Sequence, residues 1–384
     1  MNNLMMFISN NMDTWREKLS ADPYNLIIKE DADYPNVYLF KYNQFESDMN
    51  EIICQEARGI ILEIGEDVKL LCHSFDKFFN HGEEQGKEVL KKFNWKKYTW
   101  QEKRDGSLMR LWNYKGEWKV STSGTIDAYK AEMQIPSCPY SSFGDMFENI
   151  LTKSMRDNGE DFSILNPLYT YSFEMTSPNN KIVVNYTEDE LTLIGVRDIS
   201  TNTELSPYGN NPFKGISCAN FYIFEDLDSA IEEINCVGNF EGLVVCDDSY
   251  RRVKIKTDEY LMLARMVDDT NSDRGILKLI LEEKIDDVVS SLPHLQRRVD
   301  LIRDYIKNEI KNIEGLFAVV DFTKDRKDIA LQIQGNRYSG FVFKKIGNPD
   351  YDFKSDYFKI ENLEKIYKGY KEYLAEECGE DGTL

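Results

Sequence analysis

Near residue 260 the apolar residues of this chain change their period, and the change separates two kinds of architecture. Before it, short apolar runs alternate with turn residues, the pattern of strands. The runs at 36–42, 59–64, 108–114, 118–122, 170–174, 181–185, 191–196, 242–246 and 250–256 each read as a strand. Lys115-Gly116-Glu117 reads as a three-residue hairpin loop, and Asp247-Asp248-Ser249 as a second one. Helices are expected to interrupt this series at 127–134 and 225–235. Beyond residue 260, Leu295, Val299, Ile302, Ile306, Ile310 and Ile313 step by 4, 3, 4, 4 and 3. That spacing draws one apolar helix face, with Gly315 as its expected stop. Ile360, Leu363, Ile366 (or Tyr367), Tyr370 and Tyr373 suggest a last helix. The acidic, glycine-containing stretch 376–384 reads as a frayed end. The expectation is an α+β fold: an antiparallel-sheet domain over 1–260, then a mainly α-helical domain over 261–384.

The chain has 384 residues, room for two or three domains with a core in each. A hydrophobic content of 41% beside 30% charged residues marks a globular protein. No run approaches the roughly 18 apolar residues of a membrane span. The first fifteen residues lack the basic start of a signal peptide. Seven scattered cysteines form no Cys-x-x-Cys pair, which speaks against a zinc site and for a reducing cytoplasm, the host's if the source is viral. Three histidines leave little material for His-based catalysis.

A net charge of −20 argues against a general binder of polyanions. The positive charge is nevertheless concentrated. Between residues 87 and 119, ten Lys/Arg face four Asp/Glu, an excess of six, and 251–256 holds four more cations. A solvated face and a phosphate-binding cleft explain this equally well at this level.

The stretch Lys103-Arg104-Asp105-Gly106-Ser107 tips the balance toward a cleft. An amine attacks phosphorus only when neutral, and free lysine, with a pKa near 10.4, is almost wholly protonated at neutral pH. Burial or neighbouring cations must depress that value. Lys254 and Lys256 alternate with Val253 and Ile255, so both lie on one strand face. Without a shared anion they repel, and a triphosphate would be such an anion. Alternating charge by itself more often means a solvated strand face. Glu174 follows an apolar strand run and Glu241 precedes one; a carboxylate facing inward there needs a ribose hydroxyl, a metal or an ammonium. Arg58-Gly59 opens an apolar strand, and Lys77 sits against Phe78 and Phe79.

Taken in order, Arg58-Gly59, Lys77-Phe78-Phe79-Asn80, Lys103-x-Asp105-Gly106, Phe173-Glu174, Glu241-Gly242 and Lys254-Ile255-Lys256 resemble the covalent nucleotidyltransferase superfamily of ligases and capping enzymes. The Lys-Phe-Phe-Asn element and the helical tail resemble most the phage-type RNA ligase 1 family, over about residues 38–260. The resemblance implies an adenylyltransferase domain in which Lys103 takes AMP from ATP as a lysyl phosphoramidate. It implies that Lys254 and Lys256 hold phosphates, that Arg58 and Lys77 contact phosphate or ribose, that Glu174 binds the ribose and that Glu241 helps place a metal. Tyr42 and Glu102 would belong to the nucleotide site, with Asp105, Gly106 and Tyr260 as further motif positions. Asp286-Asp287 matches a paired aspartate that holds a divalent ion in the family, although a solvated helix start explains the pair as well. The implied cofactors are ATP and Mg²⁺, with Mn²⁺ as a substitute. The implied partner is RNA with 5′-phosphate and 3′-hydroxyl ends, nicked tRNA among them, and no membrane. One departure stands out. Relatives often carry a basic residue near Ser123, so a phosphate contact is either missing here or supplied from elsewhere, with Arg104 and Lys119 as candidates. A DNA ligase or capping enzyme, or a non-catalytic RNA-binding or nucleotide-sensing protein, remains as an alternative.

Overall fold

The computed structural model describes residues 2–378 apart from 44–45, 134–137, 181, 282–284 and 286–294. It divides into two compact units, Met1–Leu261 and Met262–Leu384.

The first unit is built on three sheets, one a meander of consecutive strands and two that pair strands distant in the chain. β1 (Ile27–Glu30), β2 (Val37–Lys41), β3 (Arg58–Ile64) and β4 (Val68–Cys72) form an antiparallel meander. The chain continues with β5 (Phe79–Asn80), β6 (Tyr98–Lys103), β7 (Ser107–Tyr114), β8 (Glu117–Thr122), β9 (Tyr169–Thr176), β10 (Glu190–Asp198) and β11 (Thr203–Leu205). Then come β12 (Phe221–Tyr222), β13 (Gly242–Asp247) and β14 (Arg252–Lys256). One sheet runs in the order β11-β10-β9-β7-β8, all antiparallel. Another runs β12-β6-β13-β14-β5 and is antiparallel except for β5, which lies parallel to β14.

Period-two patterning decides which side of each strand is buried in which layer. On β7, Met109 and Leu111 join Tyr171 and Phe173 of β9 under the helix Phe143–Asp157, while Trp112 and Tyr114 turn the other way onto Val37, Leu39 and Ile61. Truncating a buried ring such as Phe173 to alanine costs about 3–5 kcal/mol. The opposite face of the meander, with Phe40, Ile60 and Leu62, is covered by the helices Asn3–Asn10 and Trp15–Leu19. In the β6-β13-β14 sheet, Trp100, Leu243, Val245, Val253 and Ile255 pack with Ala230 and Ile234 of the helix Leu227–Ile234. Their strand neighbours, Gln101, Lys103, Val244, Lys254 and Lys256, point to the other face, and that face carries the candidate site.

Several expectations are corrected here. The β7–β8 loop has two residues: Tyr114 pairs with Glu117, leaving Lys115 (φ 52°) and Gly116 (φ 88°) in the left-handed conformation that matches strand twist. Over the described part of 127–134, residues 127–133, there is only a 3₁₀ turn, Ala128–Lys130, and the long helix instead begins at Phe143, where the Ser142 side chain accepts from the Asp145 N–H. The expected strand at 181–185 does not form over its described residues, 182–185. The N–H groups of Val183 and Val184 donate to Asp105 Oδ2 at 2.7 and 2.8 Å instead of to a ladder.

In the second unit the helix Gln296–Val319 buries Val299, Ile302, Ile306 and Ile313, as their spacing requires. It runs through Gly315 rather than stopping there: one glycine costs about 1 kcal/mol, less than the buried face on either side returns. This face packs with Ile276 and Leu277 of the helix Asp273–Leu281 and with Leu363, Ile366 and Tyr370 at the last helix, Leu363–Cys378. Of the stretch expected to fray, 376–378 is helical and 379–384 lies outside the described residues. Among the described residues no helix is long and apolar enough to cross a membrane.

Candidate active site

Strand register assembles the centre of the site. Gly242 of β13 stands opposite Lys103 on one neighbouring strand and opposite Lys256 on the other, and Val244 stands opposite Lys254. Because position 242 has no side chain, nothing separates the two lysines. Glu241, only 2% exposed, fills the space: its Oε2 accepts from Lys103 Nζ at 2.8 Å and its Oε1 lies 2.9 Å from Lys256 Nζ. Lys256 Nζ also lies 4.4 Å from the Tyr260 ring centre.

The three lysines line a cavity of about 280 Å³ together with Tyr42, Arg58, Lys77, Glu102, Arg104, Gly106 and Glu174. Aromatic rings fix the outer cations. The Arg58 guanidinium lies 4.7 Å from the Phe75 ring centre and 5.0 Å from that of Phe78, and Lys77 Nζ lies 4.3 Å from that of Tyr42. Glu102 accepts from Asn220 Nδ2 at 2.5 Å, and Arg104 pairs with Glu190 and Glu102.

The loop after Lys103 is tied down by Asp105, 3% exposed. Its Oδ2 takes the two N–H groups of residues 183–184, its Oδ1 accepts from the Tyr260 hydroxyl at 2.8 Å, and its own N–H donates to the Tyr186 hydroxyl at 2.9 Å. Gly106 passes so close to β9 that an added Cβ would stand 2.4 Å from the Met175 carbonyl oxygen, and its N–H donates to Glu174 Oε1 at 3.1 Å. Asp105 and Tyr260 thus act on the cavity through the residues that line it, whereas Glu241 is in direct contact with Lys103 and Lys256. Asp286 and Asp287 lie outside the described residues.

Protonation differs from the expectation for Lys103. Burial works to lower its pKa, but Glu241, Glu174 and Asp105 together outweigh burial and hold the ammonium above its ordinary value. The depressed lysine is Lys254, brought down to about 8 by burial and then by Lys256 and Lys103. Burial lifts Glu174 to about 7; Lys103 works against it and Glu241 adds to it. Among the described residues no three His, Cys, Asp or Glu side chains are grouped to hold a metal. The pair Glu174 and Glu241 beside Lys103 suits a divalent ion that arrives already ligated by phosphates.

The concentrated positive charge divides on folding. Lys91 pairs with Glu88 and Lys119 with Glu117 on the surface, whereas Lys103, Arg252, Lys254 and Lys256 face the cavity. Arg252 was not among the expected site residues, although the same period of two that links Lys254 and Lys256 extends to it. Phe75 was missed as well; Phe78 belongs to the Lys-Phe-Phe-Asn element, but its ring serves Arg58 and not Lys77, which lies over Tyr42 and Phe79. Neither candidate cation for the Ser123 contact is there: Arg104 is held by Glu190 and Lys119 by Glu117.

A family model described as RNA ligase matches residues 56–260. An RNA ligase of Rhodothermus phage RM378 is 25% identical over 89% of each chain. A protein assigned the name bifunctional polynucleotide kinase/RNA ligase in Autographa californica nuclear polyhedrosis virus is 26% identical over 94% of this chain, which spans 52% of that protein's length. Among solved structures, an archaeal ATP-dependent RNA ligase aligns over 83% of both chains at 13% identity with a TM-score of 0.45. A Naegleria gruberi RNA ligase with ATP and Mn aligns over 47% of this chain and 54% of its own at 14% identity with a TM-score of 0.35. At such scores the likeness of shape adds no weight.

Proposed function

The chain belongs to the RNA ligase family, and from that premise we propose that it is an ATP-dependent RNA ligase joining RNA 5′-phosphate and 3′-hydroxyl ends. What supports the reading above all is Lys103 Nζ, paired with Glu241 and influenced by Glu174, in a cavity whose wall also carries Arg58, Lys77, Arg104, Arg252, Lys254 and Lys256. Lys103 Nζ attacks the α-phosphorus of ATP; an N–P bond forms and the P–O bond to pyrophosphate breaks. An oxygen of the RNA 5′-phosphate then attacks the same phosphorus, the N–P bond breaks, and Lys103 regains its proton. Finally a 3′-hydroxyl attacks the 5′-phosphorus and AMP leaves.

Each residue has a part that its surroundings suit. Lys103 must lose a proton before the first step, and Glu241 Oε2, 2.8 Å away, is the base placed to take it. Lys254, Lys256, Lys77 and Arg58 bind the phosphates and the charge that develops on them. Glu174 orients the ribose and Tyr42 the nucleotide, while Asp105, Gly106 and Tyr260 keep the Lys103 loop in place. A divalent ion, Mg²⁺ or in its stead Mn²⁺, would be held by Glu174 and Glu241 and would neutralise charge on the phosphate oxygens. Asp286 and Asp287 are proposed as a second divalent site. We assign residues 1–261 to adenylyl transfer and 262–384 to choice of RNA, nicked tRNA among the substrates, in the cytoplasm.

Incubation with labelled ATP should leave a protein–AMP adduct that is stable to denaturation and absent from Lys103→Ala. Lack of the adduct in the wild type, or its persistence in the variant, would end the reading. Removing 262–384 should change the relative rates of sealing nicked tRNA and linear RNA; equal ratios would withdraw the role given to that unit.

A further inference from the structure

β2 ends on Lys41, a half-buried lysine whose ammonium has no counter-ion among the described residues. It lines a second cavity of about 360 Å³ with Tyr42, Asn43, Arg58, Leu108 and Ser123. This cavity shares Tyr42, Arg58 and Leu108 with the one over Lys103, so the two spaces adjoin across those side chains. Lys41 Nζ lies 3.9 Å from where a Cβ on Gly124 would stand, which sets it alongside the Ser123-Gly124 backbone. Arg58 Nη1 is buried and has no hydrogen-bond partner. Asn43 Nδ2 donates to Glu46 Oε2 at 2.5 Å, so the acid nearest in sequence is engaged by the amide and not by Lys41.

Charge balance indicates what the cavity takes. The space over Lys103 carries its own carboxylates, with Glu241 between Lys103 and Lys256. The space beside Lys41 is lined by two cations, a hydroxyl, a phenol and an amide, with no carboxylate in its wall. Glu174, in the wall of the other cavity, offsets part of the Arg58 charge, but among the described residues no carboxylate faces Lys41, so this space keeps an excess of positive charge that an anion would balance. A phosphate suits it best: it offers several charged oxygens, enough for an ammonium, a guanidinium and a hydroxyl at once. Arg104 and Lys119, the candidates for a contact near Ser123, are held elsewhere, and Lys41 stands in that place from a different strand.

We propose that Lys41, with Arg58 and Ser123, forms the subsite that receives the 5′-terminal phosphate of the RNA about to accept AMP. The proposal rests on the RNA ligase reading and adds to it a second phosphate site, in which Lys41 and Ser123, outside the motifs, join the motif residue Arg58. The pyrophosphate of ATP has the same chemistry and is the competing occupant.

The test compares full-length wild type, Lys41→Ala and Lys41→Arg in separate half-reactions. Adenylated protein is mixed with excess 5′-phosphorylated oligoribonucleotide, and AMP transfer is followed over a single turnover at several RNA concentrations. Adduct formation is measured against ATP, and its reversal against pyrophosphate. Lys41→Ala should raise the RNA concentration for half-maximal transfer by about tenfold, and Lys41→Arg should restore most of the loss. The half-saturating ATP and pyrophosphate should move less than about twofold in either variant. A shift in ATP and pyrophosphate without one in RNA would assign the cavity to pyrophosphate and overturn the proposal. No shift in any of the three would overturn it too, and in both cases the adduct would still form and leave the ligase reading intact. A wild type that forms no adduct would bring down both.

Discussion

Replacing Lys254 with arginine should flatten the pH dependence of ATP binding. In the ligand-free site the Lys254 pKa is lowered from 10.5 to about 8, first by burial and then by Lys256 and Lys103. At pH 9 about nine-tenths of Lys254 is therefore neutral and cannot hold a phosphate oxygen as an ammonium does. If the charged form alone binds, half-saturating ATP rises about fivefold from pH 8 to 9, or about 1 kcal/mol. Lys103 does not titrate in this window, because its value is held above the ordinary one. Arginine stays charged throughout, so Lys254→Arg should show a flat profile, whatever its absolute affinity. Folding must respond in the opposite sense. Between about pH 8 and 10.5 the native state binds fewer protons than the unfolded chain, so the wild type gains stability as pH rises through that window and loses it as pH falls through about 8. The whole gain is at most about 3 kcal/mol. Adduct formation against ATP from pH 6.5 to 9.5 reads the first effect, and urea unfolding of wild type beside Lys254→Met reads the second. A wild-type profile that stays flat to pH 9, or one that rises equally in Lys254→Arg, would refute the depressed lysine and with it the electrostatic account of the cavity.

Three further outcomes are expected. Gly106→Ala should cost about 1–3 kcal/mol in urea unfolding and lower adduct formation at least tenfold, because its Cβ meets the Met175 carbonyl and the Thr176 methyl. Asp105→Ala removes the acceptor of all three donors and should cost about 1–3 kcal/mol in urea unfolding, with Tyr260→Phe costing less; equal losses would show that the two N–H bonds of 183–184 contribute nothing. Glu174 has a raised value near 7, so its folded state binds the extra proton between pH 4.5 and 7, and that stability is fully present below 4.5 and lost as pH rises through 7. Glu174→Gln should therefore be more stable than wild type at pH 8 and equal to it below pH 5 in thermal unfolding, with weaker ATP binding at both.

Much of this was legible along the chain. The period of two that sets Lys254 and Lys256 on one side and the 4-3-4-4-3 stepping of Leu295 to Ile313 each report a local rule, one side of a strand and one face of a helix, and each holds in the structure. Local rules failed where a distant group intervened. Residues 182–185 have strand composition, but Asp105, nearly eighty positions earlier, takes the N–H groups a ladder would need. Gly315 looks like a stop, yet the helix face continues past it into the core of the second unit.

By itself the sequence determined which residues bring reactive chemistry: an amine at 103 beside Asp105-Gly106, two lysines on one strand face, and carboxylates at 174 and 241. Only the tertiary structure decided their charge states. Register sets Lys103 and Lys256 on either side of a glycine, so Glu241 lies between them, Lys103 stays protonated and Lys254 becomes the weakened cation. It also decided that Lys41, the last residue of an apolar strand, stands by Ser123, and that Arg104 and Lys119 do not. A pKa is set by what surrounds a group in space, through burial and the distance to other charges, and those neighbours come from strands that the chain order keeps far apart.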